Sequence, residues 1–285
     1  MAFFFALLLV LLCNPLTAME WPLPEADVVR NFGFNDGGRP VLGTVFEGAG
    51  EVLAAADGEI IFSRSQRDTA SRLPSPLGAW TAIDHGDGLV SIYGRYHDEG
   101  NGRQPQAAQG MPIASAGQSG WSQGDGLYFL LYDRRERRWV NASMVISPFP
   151  STVLPQILNI QLRSEDNSLV NSNQFLNLTQ GRYAIIVNAF DTLLSPLGLR
   201  LAPHRIVSSV NGQESGTVSF ETMSARDGIL MVNRNGLVPA LQVYAHYPAF
   251  EVGEVQLSRG QALLEIIVQD IMGNTRSAVT RMIVE

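Results

Sequence analysis

Cysteine is nearly absent. The single Cys13 lies within residues 1–18. If that segment is removed, the remaining chain has neither disulfides nor thiol chemistry. Basic charge is also short: Lys and Arg number 20 against 27 Asp and Glu, for a net charge of -7. A nucleic-acid partner wants a basic face, so that class is disfavoured. An acidic surface likewise gives no general attraction to anionic lipid or acidic wall polymers. Histidines number four, His85, His97, His204 and His246, and no two stand at H-x-H or H-x-x-x-H spacing. There is no G-x-S-x-G elbow for a nucleophilic serine, and the glycines at 120–126 lack the lysine of a phosphate-binding loop. Past residue 18, no stretch is apolar enough to span a membrane.

What is present begins with an unbroken apolar run at residues 3–12, closed by Asn14-Pro15. It is too short to cross a bilayer and has signal-peptide length, with cleavage expected after Ala18. No Lys or Arg precedes it. Lipid anchoring at Cys13 is the alternative, which the preceding Leu12 fits poorly. The expected localisation is therefore export, to the periplasm or cell envelope, with no transmembrane segment after cleavage.

The 27 glycines and 15 prolines favour short strands and turns, and no long amphipathic helix is visible. Residues 20–145 read as a first domain, with short apolar runs at 59–62, 80–83, 89–93 and 127–132. Asp57-Gly58, Asp87-Gly88, residues 99–102 and Gly124-Asp125-Gly126 separate them. Asp-Gly pairs supply the positive φ of tight hairpins. Residues 146–155 hold Pro148, Pro150 and Pro155 and read as a stiff linker. Residues 156–285 form a second β-rich block with strands expected at 182–189, 204–210, 241–247, 262–269 and 277–284. Strands at this spacing suggest a sandwich. The fold class is all-β, mainly antiparallel.

The first domain resembles the LytM/lysostaphin-type zinc peptidases, whose active members cut peptidoglycan cross-bridges. The likeness runs in order through Phe32-Gly33-Phe34, Gly38-Arg39, Val52 to Ile60 (VLAAADGEI), Ile83-Asp84-His85-Gly86-Asp87-Gly88, Ile92-Tyr93, Gly110 to Ala114, Gly117-Gln118-Ser119-Gly120 and Val140-Asn141. The second block is similar to immunoglobulin-like sandwich modules at Gly181-Arg182-Tyr183 and at Asp270 to Thr275 (DIMGNT). The resemblance implies a LytM-like β domain followed by an Ig-like β-sandwich.

It also implies where a zinc site would lie. Catalytic zinc needs three protein ligands and an open fourth position. The family takes them from H-x-x-x-D and from the second His of H-x-H, with further catalytic histidines beside them. Those positions fall here on Val41, Val45, Gly126, Tyr128 and Arg95. Valine has no lone pair, glycine has no side chain, and neutral tyrosine is a poor ligand. A fixed guanidinium repels Zn²⁺. The expectation is a degenerate groove lined by these residues, without catalytic residues, zinc or any other cofactor.

Remaining candidates are weaker. Arg134, Arg135, Arg137 and Arg138 could grip carboxylates or phosphates, or simply form a solvated hairpin tip. Trp80, Trp121 and Tyr128 could stack on glycan, or serve as core or rim. His97-Asp98-Glu99 reads as a solvated loop, and His85 as structural at a strand end. The expected function is a non-catalytic regulator of peptidoglycan hydrolysis, or a wall-binding protein, partnered by peptidoglycan, a peptidoglycan amidase or another envelope protein. The rivals are a structural envelope scaffold and a residual metallopeptidase.

Overall fold

A computed structural model describes residues 18–65, 74–97, 104–172, 176–193 and 198–285. The expected signal peptide before Ala18, Cys13 within it, and the turn at 99–102 with Asp98 lie outside the described residues. The chain is built almost entirely of strands, mostly antiparallel.

In the first half the strands Gly58–Arg64, Ala79–Asp84, Leu89–Tyr96 and Gly126–Asp133 lie side by side. The free edge of Gly126–Asp133 takes Thr44–Glu47 along its first part and Arg138–Val140 along its last. Strand alternation sorts the two faces. Leu127, Phe129 and Leu131 point into a core with Phe46, Ile83 and Tyr93, all nearly or fully buried. Each such side chain contributes about 1.5–3 kcal/mol of transfer free energy.

The two Asp-Gly pairs behave differently. Asp87 and Gly88 have φ of 49° and 83°, as a tight hairpin between Ala79–Asp84 and Leu89–Tyr96 requires. Gly58 does not take positive φ. It is glycine because a Cβ there would stand 2.6 Å from the Asp84 carbonyl oxygen, so close backbone approach replaces the expected turn geometry.

His85 follows its strand directly and is tied on both sides. Its Nδ1 lies 2.7 Å from the Asp57 carbonyl and its Nε2 2.6 Å from Ser91 Oγ. Ser91 Oγ is 3.0 Å from the Tyr93 hydroxyl, which accepts the Ala55 N–H at 2.8 Å. Burial lowers the His85 pKa from its ordinary 6.5 and pushes Tyr93 up to about 12, so both stay neutral.

The second half is a sandwich. One sheet holds Gln156–Ser164, Leu169–Asn171, Gly181–Thr192 and Phe250–Leu257. The other holds Arg205–Val210, Gln213–Arg226, Ile229–Arg234, Gly260–Gln269 and Thr275–Val284. Leu162, Ile185 and Val187 from the first face Ile206, Val218, Phe220, Leu264 and Ile266 from the second. The expected strand at 241–247 is a correction: Ala240–Tyr244 is a short α-helix that buries the consecutive Val243 and Tyr244. His246 accordingly sits beyond the helix, not in a strand, beside a cis Tyr247–Pro248 bond. Alternation in the sequence suggested a strand, but two adjacent buried side chains need a helical turn.

The halves are joined more closely than a linker implies. Arg138–Val140 pairs with Gln213–Arg226, so the first sheet runs on into the sandwich. Phe32, from the first half, is fully buried among the sandwich residues Phe220 and Tyr244. Tyr244 donates to the Gly33 carbonyl at 2.8 Å, and Asn35 Nδ2 donates to the Ala249 carbonyl at 3.0 Å. Asn31 exchanges two hydrogen bonds with the Ala202 backbone at 2.7 and 2.8 Å. The proline-rich stretch expected as a spacer docks too: Phe149 stacks on Trp21 at 4.7 Å, and Ile146 is buried.

These joints give two expected outcomes. Phe32→Ala should cost about 3–5 kcal/mol and shift both halves together in one urea transition followed by tryptophan fluorescence; separate transitions, with the first half unmoved, would refute the shared core. His85 has a folded pKa below its unfolded value. Its contribution is complete above pH 6.5 and is lost as pH falls below that value toward the folded pKa. The unfolding temperature should therefore drop on acidification through this window, and less so in His85→Gln.

Candidate functional site

Cross-strand partners point to the same face of a sheet. Tyr128 pairs with Val45 on one side and Gly94 on the other, and Gly94 pairs in turn with Trp80. Val45, Tyr128 and Trp80 therefore form a row across the face opposite the core. Gly126 precedes Tyr128 by two residues and shares that face. Its backbone is clamped between Glu47 on one strand and Gly117 on the other side. A Cβ on Gly126 would lie 2.1 Å from the Phe46 carbonyl oxygen.

Arg95 enters this row through a β-bulge. Ala79 pairs with Tyr96 and Trp80 with Gly94, which leaves Arg95 unopposed. Its φ is 70°, a left-handed conformation that costs a non-glycine residue about 1–2 kcal/mol. The bulge is held by the Arg95 N–H to the Leu77 carbonyl at 2.6 Å and by the Ser119 N–H to the Arg95 carbonyl at 3.3 Å. It swings the guanidinium over the Tyr128 ring, 4.7 Å from the centroid, a cation–π contact. The Arg95 Nε is buried and makes no hydrogen bond.

Electrostatics here follow burial first. Desolvation lowers the Arg95 pKa, opposed by Tyr128 and reinforced by Arg30. Desolvation raises that of Tyr128, opposed by the Leu42 N–H and by Arg95. The Tyr128 hydroxyl accepts that Leu42 N–H at 3.2 Å, which ties the 41–42 segment to the row. Val41 exchanges backbone bonds with Phe34 and Gly33 at 3.0 and 2.8 Å. Val41 and Val45 are both buried.

The structure thus brings Val45, Gly126, Tyr128 and Arg95 onto one face, with Val41 attached through Leu42. Hydrocarbon stands at the positions of Val41 and Val45, and among the described residues no group of three or more His, Cys, Asp or Glu side chains could hold a metal ion. Trp80 stacks on Phe62 at 4.3 Å in the neighbouring strand. Trp121 stands 69% exposed on the loop whose backbone bonds to Pro76, so the aromatic candidates are spread along the rim and do not form a single stack.

The arginine cluster lies apart, at the far tip of the Gly126–Asp133 hairpin. Most of it is paired: Arg134 with Asp84, Arg135 with Asp87 at 3.1 Å, and Arg138 with Asp133 at 3.6 Å. The possible basic contact patch is therefore mostly ion-paired; Arg137, which forms no ion pair among the described residues, takes the left-handed turn position at φ 53°. Sequence reading missed Arg30 and Asp36, an ion pair at 3.8 Å whose charges both act on Arg95. The one available signal was Asn35-Asp36-Gly37-Gly38, whose glycines at φ 60° and 88° close the hairpin between Asn35–Asp36 and Arg39–Pro40.

With this geometry in place, comparison with known proteins gives the following. The family model described as peptidase family M23 matches residues 41–142, and a second family model matches residues 154–285. No curated protein matches the chain. Among solved structures, the SpoIIQ–SpoIIIAH pore-forming complex is similar at 15% identity, over 45% of this chain and 90% of that one, with a TM-score of 0.37. A zinc-containing peptidase from Vibrio cholerae is similar at 22% identity, over 44% and 39%, with a TM-score of 0.36. Lysostaphin from Staphylococcus simulans is similar at 12% identity, over 76% and 86%, with a TM-score of 0.34. Residues 41–142 of this chain are a peptidase family M23 domain of the LytM type.

Proposed function

We propose that this chain is a non-catalytic, exported envelope protein whose M23 domain serves as a metal-free recognition groove. Through it the protein binds peptidoglycan or an envelope protein such as a peptidoglycan amidase, and so regulates wall hydrolysis. The residues at the zinc positions do not fit the metal. Val41 and Val45 offer no lone pair, Tyr128 is held neutral by burial, and the Arg95 guanidinium lies over Tyr128. A permanent cation lying over one of the ligand positions opposes Zn²⁺ on charge alone.

The observation that carries the reading is Arg95 itself. A long charged side chain sits on a strained bulge, stacked on a half-buried ring, with one N–H unpaired. A buried unpaired donor costs about 1–3 kcal/mol. Strain and an unmet donor at one residue mark a position kept for a ligand. A carboxylate is the complement: it accepts from the guanidinium in a planar, charge-assisted pair. Stem peptides and acidic protein segments both supply one.

The test uses residues 19–285 with dye-labelled sacculi and a cognate envelope amidase. The protein should release no dye alone and should stimulate release by the amidase. Arg95→Glu should weaken sacculus or amidase binding at least about tenfold while leaving the circular dichroism spectrum intact. No effect on the amidase and no loss in the variant would move the function to scaffolding. Metal analysis should find zinc far below one equivalent per chain; a full equivalent, or release by the protein alone, would overturn the reading.

A further inference from the structure

The sheet face that carries Arg95 does not end at Trp80. Along the strand Ala79–Asp84, Thr81 and Ile83 are buried, so Trp80 and Ala82 point to the opposite face. Phe62 pairs with Ala82 and stacks on Trp80, ring centroids 4.3 Å apart. It therefore lies on the same face as Tyr128, yet stands 47% exposed. An isolated exposed apolar side chain is ordinary. This one is not isolated.

Tyr128, Gly94, Trp80 and Phe62 lie on four successive strands. Gly94 has no side chain to fill its place in the series. A Cβ there would stand 3.0 Å from Leu77 Cδ2, so Leu77 lies over the glycine and closes the gap. Tyr128, Leu77, Trp80 and Phe62 thus form one apolar strip across the strands. Arg95 stands at its Tyr128 end, with a buried Nε that makes no hydrogen bond. Neighbouring strands are about 4.8 Å apart. The strand of Tyr128 is then roughly 10 Å from that of Trp80 and roughly 14 Å from that of Phe62.

We propose that the groove takes an extended polypeptide segment of a partner protein, laid across the strands. An acidic side chain of that segment meets Arg95, and an apolar side chain four residues away covers Phe62 and Trp80. The inference rests on the reading of the groove as a recognition site and narrows its ligand to protein. Same-face side chains of an extended chain recur at about 6.7 Å and about 13 Å. The shorter spacing stops before the aromatic pair, and the longer reaches it. A neutral glycan would stack on the rings but bring no charge to Arg95. A polypeptide brings a carboxylate and an apolar group at a fixed separation, which matches a charged end and an aromatic end on one rigid sheet.

The test titrates the full chain with acetyl-Glu-Ser-Gly-Ser-Leu-amide, followed by calorimetry and tryptophan fluorescence. The peptide should bind and change the tryptophan emission. Phe62→Ser, or serine in place of the peptide's leucine, should each weaken binding about tenfold. The two changes together should weaken it little further, because they remove the same contact. Arg95→Glu, or glutamine in place of the peptide's glutamate, should weaken it as well. Binding that needs Arg95 but ignores Phe62 and the leucine would overturn this inference and leave the groove reading standing. No binding to the natural chain would overturn it too, while the sacculus and amidase assay judges the groove separately. Tight binding of an N-acetylglucosamine tetramer that depends on Phe62, with none of the peptide, would replace the protein ligand by a glycan. Should Phe62→Ser fail to fold, the two peptide replacements on the natural chain decide.

Discussion

The insertion of Phe32 into the sandwich core is the constraint on which the rest of the architecture depends. The segment that carries it lies in the first half, just ahead of residues 41–142, yet its aromatic ring packs with Phe220 and Tyr244 of the other half. Gly33 must be glycine there: a Cβ would meet the Phe220 side chain at 2.7 Å, on a backbone already at φ 83°. Asn31 and Asn35 then fix the segment by bonds to Ala202 and Ala249. Val41 bonds back to Gly33 and Phe34, so the segment that leads to the Tyr128 face is anchored at its start in the sandwich core.

Electrostatics follow the same division. The chain carries a net charge of -7, and the arginines at the hairpin tip are mostly matched by nearby aspartates. Exposed pairs of this kind contribute little to stability. They do cancel a patch that would otherwise attract anions without discrimination. Arg95 is partly buried over the Tyr128 ring, where the charges of Arg30 and Asp36 both act on it with opposite sign.

Much of the fold was legible because alternation survives where one face is buried. Residues 127–132 and 89–93 read as strands for that reason, and they pair in the Gly126–Asp133 and Leu89–Tyr96 ladder. Glycine spacing also set the register that assigned Val45, Gly126, Tyr128 and Arg95, and these four share one face of the sheet. What failed was non-local. Residues 241–247 alternate like a strand, but the anchor of Tyr244 to Gly33, across more than half the chain, selects a helix. The partners of Arg134 and Arg135 lie in a different hairpin, at Asp84 and Asp87. Nothing local announces that the Asn31 side chain bonds to the Ala202 backbone across the joint between the halves.

Gly126 has a mechanical consequence. Where any side chain there would have to begin, the Phe46 carbonyl already stands 2.1 Å away. A Cβ at residue 126 would oblige the backbone of Thr44–Glu47 to retreat, so the spacing of these two paired strands depends on the absence of a side chain at one position.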